Sequence, residues 1–518
     1  MTHLAVPITA KNIADVDTQA QQAKNLHADI IELRTDFLDG LTTAVAAEAV
    51  SAVRSTGLPI IVTCRDIQQG GAADHPLDLR ANILAAALNA GADHVDCEYD
   101  NFKIPQVRDK ILQSLSAAPR AKLILSAHNF KGPWARNGIV DIYDDIVADC
   151  PNAIPKLIYK ARHINDIFQA FDLLNSKRSE LITFCMSEAG IVSRIIAAKL
   201  GSYLTFAGID ADTTSAPGQI TVEQMKNLYR FDRINKDTKL YGVIGSPVKH
   251  SMGPAIFNAC FDAQDINSLY LHLLVSGDDK KFFRFMDNVV SRPYLDFCGF
   301  SVTLPHKANA VDYVEKKGDT LEQLSSEIGA VNTLKLGYNE LIAGYNTDCA
   351  GAIDALTETL GIKKHDLHNV RVAVVGAGGV SRAVVAGLSY VGARVTIYNR
   401  TLSKAQALAE EFGCKYAPLE DLTELDAKVV INCTSIGMTP DVDSTPVPAE
   451  SLNSDMVVFD TVYNPLKTKL LQLAEAAGAK TVNGAEMFIR QAVAQFHIFT
   501  STEPDRKIMT DTVYSRLG

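Results

Sequence analysis

The chain has 518 residues, which at roughly 100 to 200 residues per domain predicts about three domains, each able to bury its own core. With 47% hydrophobic and 21% charged residues, 32 Gly and 19 Pro, the composition excludes extended disorder and a collagen-like repeat. The net charge is −10 and Lys and Arg are scattered, so the basic face a nucleic-acid binder needs is missing and small-molecule chemistry is expected.

Nine cysteines, an odd number without a C-x-x-C pair, argue against a disulfide framework and a structural zinc site, and fit a reducing compartment. The first ten residues carry no basic n-region, and no apolar run reaches the roughly 18 residues of a membrane span. The expectation is a cytoplasmic protein without membrane association.

In chain order, β-branched apolar runs begin at Leu4, Ile30, Ile60, His94, Lys122, Ile154, Leu181 and Leu204. Helix-length, Ala- and Leu-rich segments such as 77–89 and 191–200 fill the gaps. Eight β-then-α units predict a closed (β/α)8 TIM barrel over 1–228. The polar stretch YRFDRINKDT, 229–238, reads as a linker. Alternating strands and helices restart at Lys239. The strand from Val372, with partners starting at Arg394, Val429 and Val457, predicts a doubly wound Rossmann domain, making the whole chain α/β.

Chemistry in such a barrel belongs at the C-terminal ends of its strands. Ionisable residues recur there: Glu32, Arg34, Asp36, Arg65, Asp96, Glu98, His128, Lys156 and Lys160. Singly, each is more often a solvated group or half of a structural ion pair. Lys156 lies mid-strand in IPKLIY, where desolvation favours the neutral amine that attacks a ketone to form a Schiff base. His128, one strand away, suits proton transfer at the adjacent carbon. Lys160 shares the strand face of Lys156 and lies nearer the rim, so spacing alone slightly favours Lys160.

These residues resemble the type I 3-dehydroquinate dehydratases, Schiff-base (β/α)8 enzymes. The likeness rests on E-x-R-x-D at Glu32, Arg34 and Asp36; T-C-R at 63–65 followed by Gly70-Gly71; H-N-F at 128–130; I-P-K at Lys156; Ser193-Arg194; and S-A-P-G-Q at 215–219. The resemblance implies Lys156, over Lys160, as the imine-forming lysine in dehydration of 3-dehydroquinate to 3-dehydroshikimate. It implies that His128 removes the C2 proton and later protonates the leaving C1 hydroxyl. Arg194, Ser215 and Gln219 would hold the substrate carboxylate, and Glu32, Arg34 and Arg65 its hydroxyls, with no metal. The family usually has Glu before the Gly-Gly pair. Here Gln69 stands instead and predicts slower turnover, because an amide cannot stabilise an imidazolium by charge.

In the second half, VAVVGAGGVSRAVVAGL sets Gly376, Ala377, Gly378 and Gly379 between a strand and a helix, a turn that lets a pyrophosphate approach the helix N-terminus. Alone this is weak, since Ser381 replaces the last glycine of G-x-G-x-x-G. About 20 residues on, where an NAD site has an acid, stand Asn399, Arg400, Thr401 and Lys404; two cations and no acid point to the 2′-phosphate of NADP. Ser251, Thr303, Lys307, Asn332 and Asn346-Thr347-Asp348 are further polar clusters. Helix capping explains Ser251, Asn346 or Asp348 individually. A Lys and an Asp meeting across a cleft would instead relay a proton.

The ordered series G-S-P-V-K-H-S, S-V-T-L-P-H-K, G-A-V-N-T, G-Y-N-T-D, G-A-G-G, N-R-T, N-C-T-S-I-G-M and M-F-I-R-Q resembles shikimate dehydrogenase from Lys239 onward. The likeness implies Lys307 and Asp348 as the catalytic pair and Ser251, Thr303, Asn332, Tyr463 and Gln491 as substrate contacts. Gly376 to Gly379, Asn399, Arg400, Thr401, Lys404, Thr461 and Gly484 would bind NADP. It also implies a split substrate domain, 239–347 plus 482–518, around a cofactor domain, 348–481. The family loop H-S-x-S-P here reads His250-Ser251-Met252-Gly253-Pro254. The absent hydroxyl at Gly253 is expected to open space that admits quinate, with its extra C1 hydroxyl, while retained Thr303 keeps shikimate the first expectation.

Together the halves resemble the bifunctional dehydroquinate dehydratase/shikimate dehydrogenase arrangement, in which one site's product is the next site's substrate. The rival readings are an NADP-linked quinate dehydrogenase with a weak dehydratase, and a metabolite-binding regulator without chemistry. The reactive residues Lys156, His128, Lys307 and Asp348 are all present, which disfavours the regulator.

Overall fold

The computed structural model describes residues 2–135, 137–177, 179–210, 220–337 and 341–517. They form two compact units. The first runs to Thr238 and takes in Leu273–Val275 and Arg284–Asp296; the second comprises Lys239–His272, Ser276–Phe283 and Phe297 onward.

All eight expected strands of the first unit appear: β1 His3–Ile8, β2 Ile30–Arg34, β3 Ile60–Thr63, β4 His94–Glu98, β5 Lys122–Asn129, β6 Ile154–Lys160, β7 Ile182–Met186 and β8 Leu204–Phe206. They pair in the order β7-β6-β5-β4-β3-β2-β1-β8. Where the two ends meet, the Tyr203 N–H donates to the Leu181 carbonyl at 2.8 Å, leaving the barrel nearly closed. The helix Leu77–Asn89 forms as expected, but 191–200 does not hold one helix. Helix Ile191–Ile195 gives way to turns, because the chain must reverse at Gly201 (φ +72°) and the Ser202 N–H returns to the Ala197 carbonyl.

Side chains alternate along each strand, so the barrel interior is layered. Ile30, Ile61, Ile124, Ile154, Ile182 and Leu204 form an aliphatic floor. Two residues further along β2, β3, β4, β5 and β6, the same inward faces carry Glu32, Thr63, Asp96, Ser126 and Lys156, all buried. The aliphatic floor excludes water below this polar layer.

The second unit contains two sheets. One consists of β9 Lys239–Gly245, β10 Ser268–Leu274, β11 Phe297–Val302, β12 Thr320–Leu321, β13 Thr333–Leu336 and β14 Ile342–Tyr345, ordered β10-β9-β11-β13-β14-β12. The other has β15 Arg371–Val375, β16 Arg394–Tyr398, β17 Lys415–Ala417, β18 Val429–Asn432, β19 Val457–Asp460 and β20 Lys480–Val482, all parallel and ordered β17-β16-β15-β18-β19-β20. Strand order reverses between β15 and β18, which puts a ligand crevice at their C-terminal ends. Val372, Val374, Ile397, Ile431 and Phe459 pack beneath helix Gly379–Tyr390 and fix the glycine turn. Among the described residues no helix is long and apolar enough to cross a membrane.

Two candidate active sites

The barrel interior holds a cavity of about 280 Å³ bordered by Glu32, Arg34, His128, Lys156, Phe184 and Arg194. Lys156 Nζ lies 2.8 Å from Asp96 Oδ2 and 3.3 Å from Glu32 Oε1, with the Phe206 ring centroid 4.7 Å away. Its apolar sequence neighbours predicted a desolvated, inward-facing amine, and Lys156 is buried; the carboxylate partners were not foreseen and arise because parallel pairing sets the inward faces of β2 and β4 opposite that of β6. Arg65 completes the cluster, donating to Asp96 at 2.7 Å, Glu98 at 2.9 Å and Ser126 Oγ at 2.7 Å. Burial alone would raise the Asp96 carboxyl, but the charges of Arg65 and Lys156 hold it well below the usual carboxylate range. Lys160, which spacing alone favoured, is exposed at the strand end and does not line the cavity.

Arg34 grips Asp36 through Nε at 2.9 Å and Nη2 at 2.7 Å, and Asp36 also accepts the Ala72 N–H at 2.9 Å. Burial opposes the Asp36 charge, yet Arg34 and these amides keep its carboxyl below the usual range. The guanidinium of Arg34 is thereby aimed into the cavity. His128 has its pKa pushed well below 6.5, by burial first and then by the charges of Arg65 and Lys156, so it is a neutral base. Arg194 is 2% exposed, sits 4.3 Å over the Phe184 ring and, among the described residues, has no hydrogen-bond partner for Nε. Burial lowers its pKa to about 10. A buried guanidinium on a cavity wall with Nε unpaired among the described residues has the charge and donors that suit an anionic ligand. Ser215 and Gln219 lie outside the described residues.

The second unit has a cleft of about 400 Å³ that brings together Ser251, Thr303, Lys307, Asn332, Asp348, Thr461, Tyr463, Gly484 and Gln491. Lys307 Nζ is 2.5 Å from Asp348 Oδ2. Both stand in first helical turns: Lys307 opens helix Lys307–Lys317, and Asn346 caps helix Thr347–Leu360 by accepting from the Asp348 N–H at 3.1 Å. Capping therefore accounts for Asn346 and leaves the Asp348 carboxylate to the lysine. Asn332 accepts from the Thr347 N–H and donates to Thr347 Oγ1, both at 2.9 Å, which ties β13 to this helix start. Tyr463 stacks on Phe488 with centroids 4.8 Å apart.

Sequence reasoning missed Tyr270, Ser301 and Gln495, which line the same cleft. The signal was periodicity: Ser301 is two residues before Thr303, and Gln495 is four after Gln491 on helix Gly484–Thr500. The expected opening at Gly253 does not exist, because a Cβ there would lie 2.9 Å from Cε1 of Tyr270.

At the crevice, Gly376 adopts φ +114°, a conformation that favours glycine, and a Cβ there would meet the Cys433 carbonyl at 3.1 Å. Ser381, in place of the third glycine, accepts the Gly378 N–H at 3.2 Å and braces the turn. After β16, Asn399 Nδ2 donates to the Thr401 carbonyl at 2.9 Å, while Arg400 and Lys404 are exposed and no acid lies in 399–404. A ribose 2′-phosphate fits this donor set and a bare 2′-hydroxyl does not.

Comparison with known proteins finds relatives for both halves of the chain. The chain matches the family Type I 3-dehydroquinase over 4–236, the shikimate dehydrogenase substrate binding domain over 243–334, Shikimate / quinate 5-dehydrogenase over 359–460 and the shikimate 5′-dehydrogenase C-terminal domain over 484–514. It is 36% identical to a chloroplastic bifunctional 3-dehydroquinate dehydratase/shikimate dehydrogenase of Arabidopsis thaliana, over 98% of this chain and 83% of that protein. It is 39% identical to the shikimate dehydrogenase (NADP(+)) of Methanosarcina mazei, over 54% of this chain and 99% of the relative. A crystal structure of a shikimate dehydrogenase in complex with NADP+ superposes with a TM-score of 0.50 at 37% identity, covering 55% of this chain and 97% of that one.

Proposed function

The chain belongs to the bifunctional 3-dehydroquinate dehydratase/shikimate dehydrogenase family, and on that premise we propose how its residues divide the two reactions. It is a lyase and an NADP-dependent oxidoreductase of the shikimate pathway, dehydrating 3-dehydroquinate to 3-dehydroshikimate and reducing that product to shikimate. The observation that carries the division is the pair of separate lysine–carboxylate centres, Lys156 with Asp96 and Glu32, and Lys307 with Asp348.

In the barrel, Lys156 Nζ attacks the C3 ketone and water leaves, giving an imine that acidifies C2. His128 takes the C2 proton and then gives it to the C1 hydroxyl, which departs as a second water. Hydrolysis of the imine frees 3-dehydroshikimate and restores the amine. Arg194, with Ser215 and Gln219, holds the carboxylate, and Glu32, Arg34 and Arg65 orient the hydroxyls. The buried Arg194, whose Nε has no partner among the described residues, supports this assignment.

In the second unit, Gly376, Ala377, Gly378, Gly379, Asn399, Arg400, Thr401, Lys404, Thr461 and Gly484 are assigned to NADP, which when bound supplies hydride to the C3 carbonyl. Lys307, steadied by Asp348, gives the proton to the C3 oxygen. Ser251 holds the substrate carboxylate, and Thr303, Asn332, Tyr463 and Gln491 hold the ring. The matched segments from 243 onward support domains at 239–347 with 482–518 and at 348–481; the first, 4–236, supports the barrel at 1–228 but also takes in most of the expected 229–238 linker, where Tyr229 and Phe231 are buried. Nine cysteines, none of them in a disulfide among the described residues, support a reducing compartment, assigned here to the cytoplasm. The scattered cations support small-molecule ligands over nucleic acid.

Single substitutions test the division. Lys156→Ala is expected to remove dehydratase activity only, and Lys307→Ala reductase activity only; loss of both from either change would overturn it. Nothing at Gly253 favours the quinate reading, since Tyr270 occupies the expected opening.

A further inference from the structure

We propose that Arg382 is a positioning residue of the dehydrogenase, a strut that joins the two helices facing the cofactor to the chain segment behind Lys307 and Asp348, so that NADP and substrate reinforce each other's binding. This rests on the reading above that Gly376 to Gly379 and Asn399 to Thr401 hold NADP and that Lys307 and Asp348 handle the proton.

Arg382 stands in the first turn of helix Gly379–Tyr390, its N–H donating to the Gly378 carbonyl at 3.0 Å. Its side chain reaches two partners outside that helix. Nε donates to the Ile328 carbonyl at 2.7 Å, and Nη2 pairs with Glu411 near the end of helix Leu402–Phe412, which starts directly after Thr401. Ile328 closes helix Gln323–Ile328, where carbonyls lack intrahelical partners and a cation is favoured. The backbone then turns at Gly329, φ +66°, where a Cβ would lie 3.1 Å from Arg382 Nη2.

The next three residues reach the catalytic pair. The Ala330 carbonyl accepts from Nδ2 of Asn346, the cap of the helix bearing Asp348, at 2.8 Å. The Val331 N–H donates to the Lys307 carbonyl at 3.0 Å, and Asn332 Oδ1 accepts the Thr347 N–H at 2.9 Å. On the other side, a Cβ on Gly379 would lie 3.6 Å from Lys307 Cδ, so the glycine turn packs against the stem of the same lysine. The planar guanidinium serves Ile328 and Glu411 in one fixed geometry, which a lysine's point charge cannot do. Ordering the glycine turn around a pyrophosphate thus orders the backbone behind Lys307 and Asp348. Coupling between two ligands is reciprocal, so substrate does the same for the cofactor.

The test titrates NADPH by its fluorescence into the full chain, without and with saturating shikimate; both ligands are reduced, so nothing turns over. Thermal unfolding reports on folding. The native chain should bind NADPH about 5- to 10-fold tighter with shikimate present. Arg382→Met should hold the Kd for NADPH alone within about threefold, bring the coupling factor to about one and lower kcat for 3-dehydroshikimate reduction about tenfold. A coupling factor of one in the native chain, or a native factor in folded Arg382→Met, would overturn the proposal. If Arg382→Met does not fold, Glu411→Ala, a change at an exposed position, decides: it should cut the factor about twofold or more, and an unchanged factor would overturn the strut. Lys307→Ala should abolish reduction. If it does and coupling survives Arg382→Met, only the proposal falls; if Lys307→Ala still reduces the ketone, the reading of the pair falls and takes the proposal with it.

Discussion

Gln69 Oε1 accepts two hydrogen bonds from His128, from its backbone N–H at 3.2 Å and from Nδ1 at 3.1 Å. A backbone amide only donates, so the acceptor must be the amide oxygen of Gln69, and Nδ1 beside the same oxygen carries the ring proton. Nε2 is left with its lone pair, the form a base needs. The glutamine therefore fixes the tautomer, which the sequence departure from glutamate had not suggested.

Charge at this position should move the pH profile. The charged form of His128 is disfavoured by burial and then by Arg65 and Lys156, so the acid limb of dehydratase kcat/KM is expected below pH 6.5. Gln69→Glu adds an anion, favours the imidazolium and should shift that limb upward by about one pH unit. Coincident acid limbs would contradict the assignment. Because the folded-state pKa lies below the unfolded one, His128 costs stability as pH falls from about 6.5 toward its folded value, and Gln69→Glu should lessen that loss.

Borohydride added with 3-dehydroquinate should leave a reduced adduct on the peptide containing β6, located by mass spectrometry at Lys156. Lys156→Met should abolish it, whereas Lys160→Met should not, since Lys160 is exposed and outside the cavity. An adduct on Lys160 in the native chain would reverse the assignment.

Arg194 offers a test that separates function from stability. Among the described residues its buried charge has no carboxylate partner, so Arg194→Met removes a desolvation cost and the unfolding midpoint should stay level or rise. The same change removes the carboxylate receptor and should raise the 3-dehydroquinate KM on the order of 100-fold, the loss of a charged hydrogen bond. A lowered midpoint with an unchanged KM would make Arg194 structural.

Cofactor choice should reside after β16. Arg400→Ser is expected to lower kcat/KM for NADPH about 10- to 100-fold, the worth of one charge-assisted contact, and to leave NADH nearly unaffected. Equal losses with both cofactors would show that Arg400 does not contact the 2′-phosphate.

The barrel was legible because each strand announces itself by a local β-branched run, and the inward face of Glu32, Asp96 and Lys156 follows from period two. What sat opposite Lys156 was not legible, since Asp96 reaches it through pairing between strands about 60 residues apart in sequence. Gly253 misled for the same reason: a missing side chain reads as space, and only the fold reveals Tyr270 from the next strand filling it. Segment 191–200 failed differently, its helical composition yielding to a chain reversal at Gly201.

The most direct measurement supplies the purified chain with 3-dehydroquinate and NADPH and resolves the products by chromatography while following absorbance at 340 nm. Shikimate as the main product, replaced by accumulating 3-dehydroshikimate in Lys307→Ala and lost in Lys156→Ala, is the predicted result. Mostly quinate, formed by direct reduction of the first substrate, would contradict the two-step account.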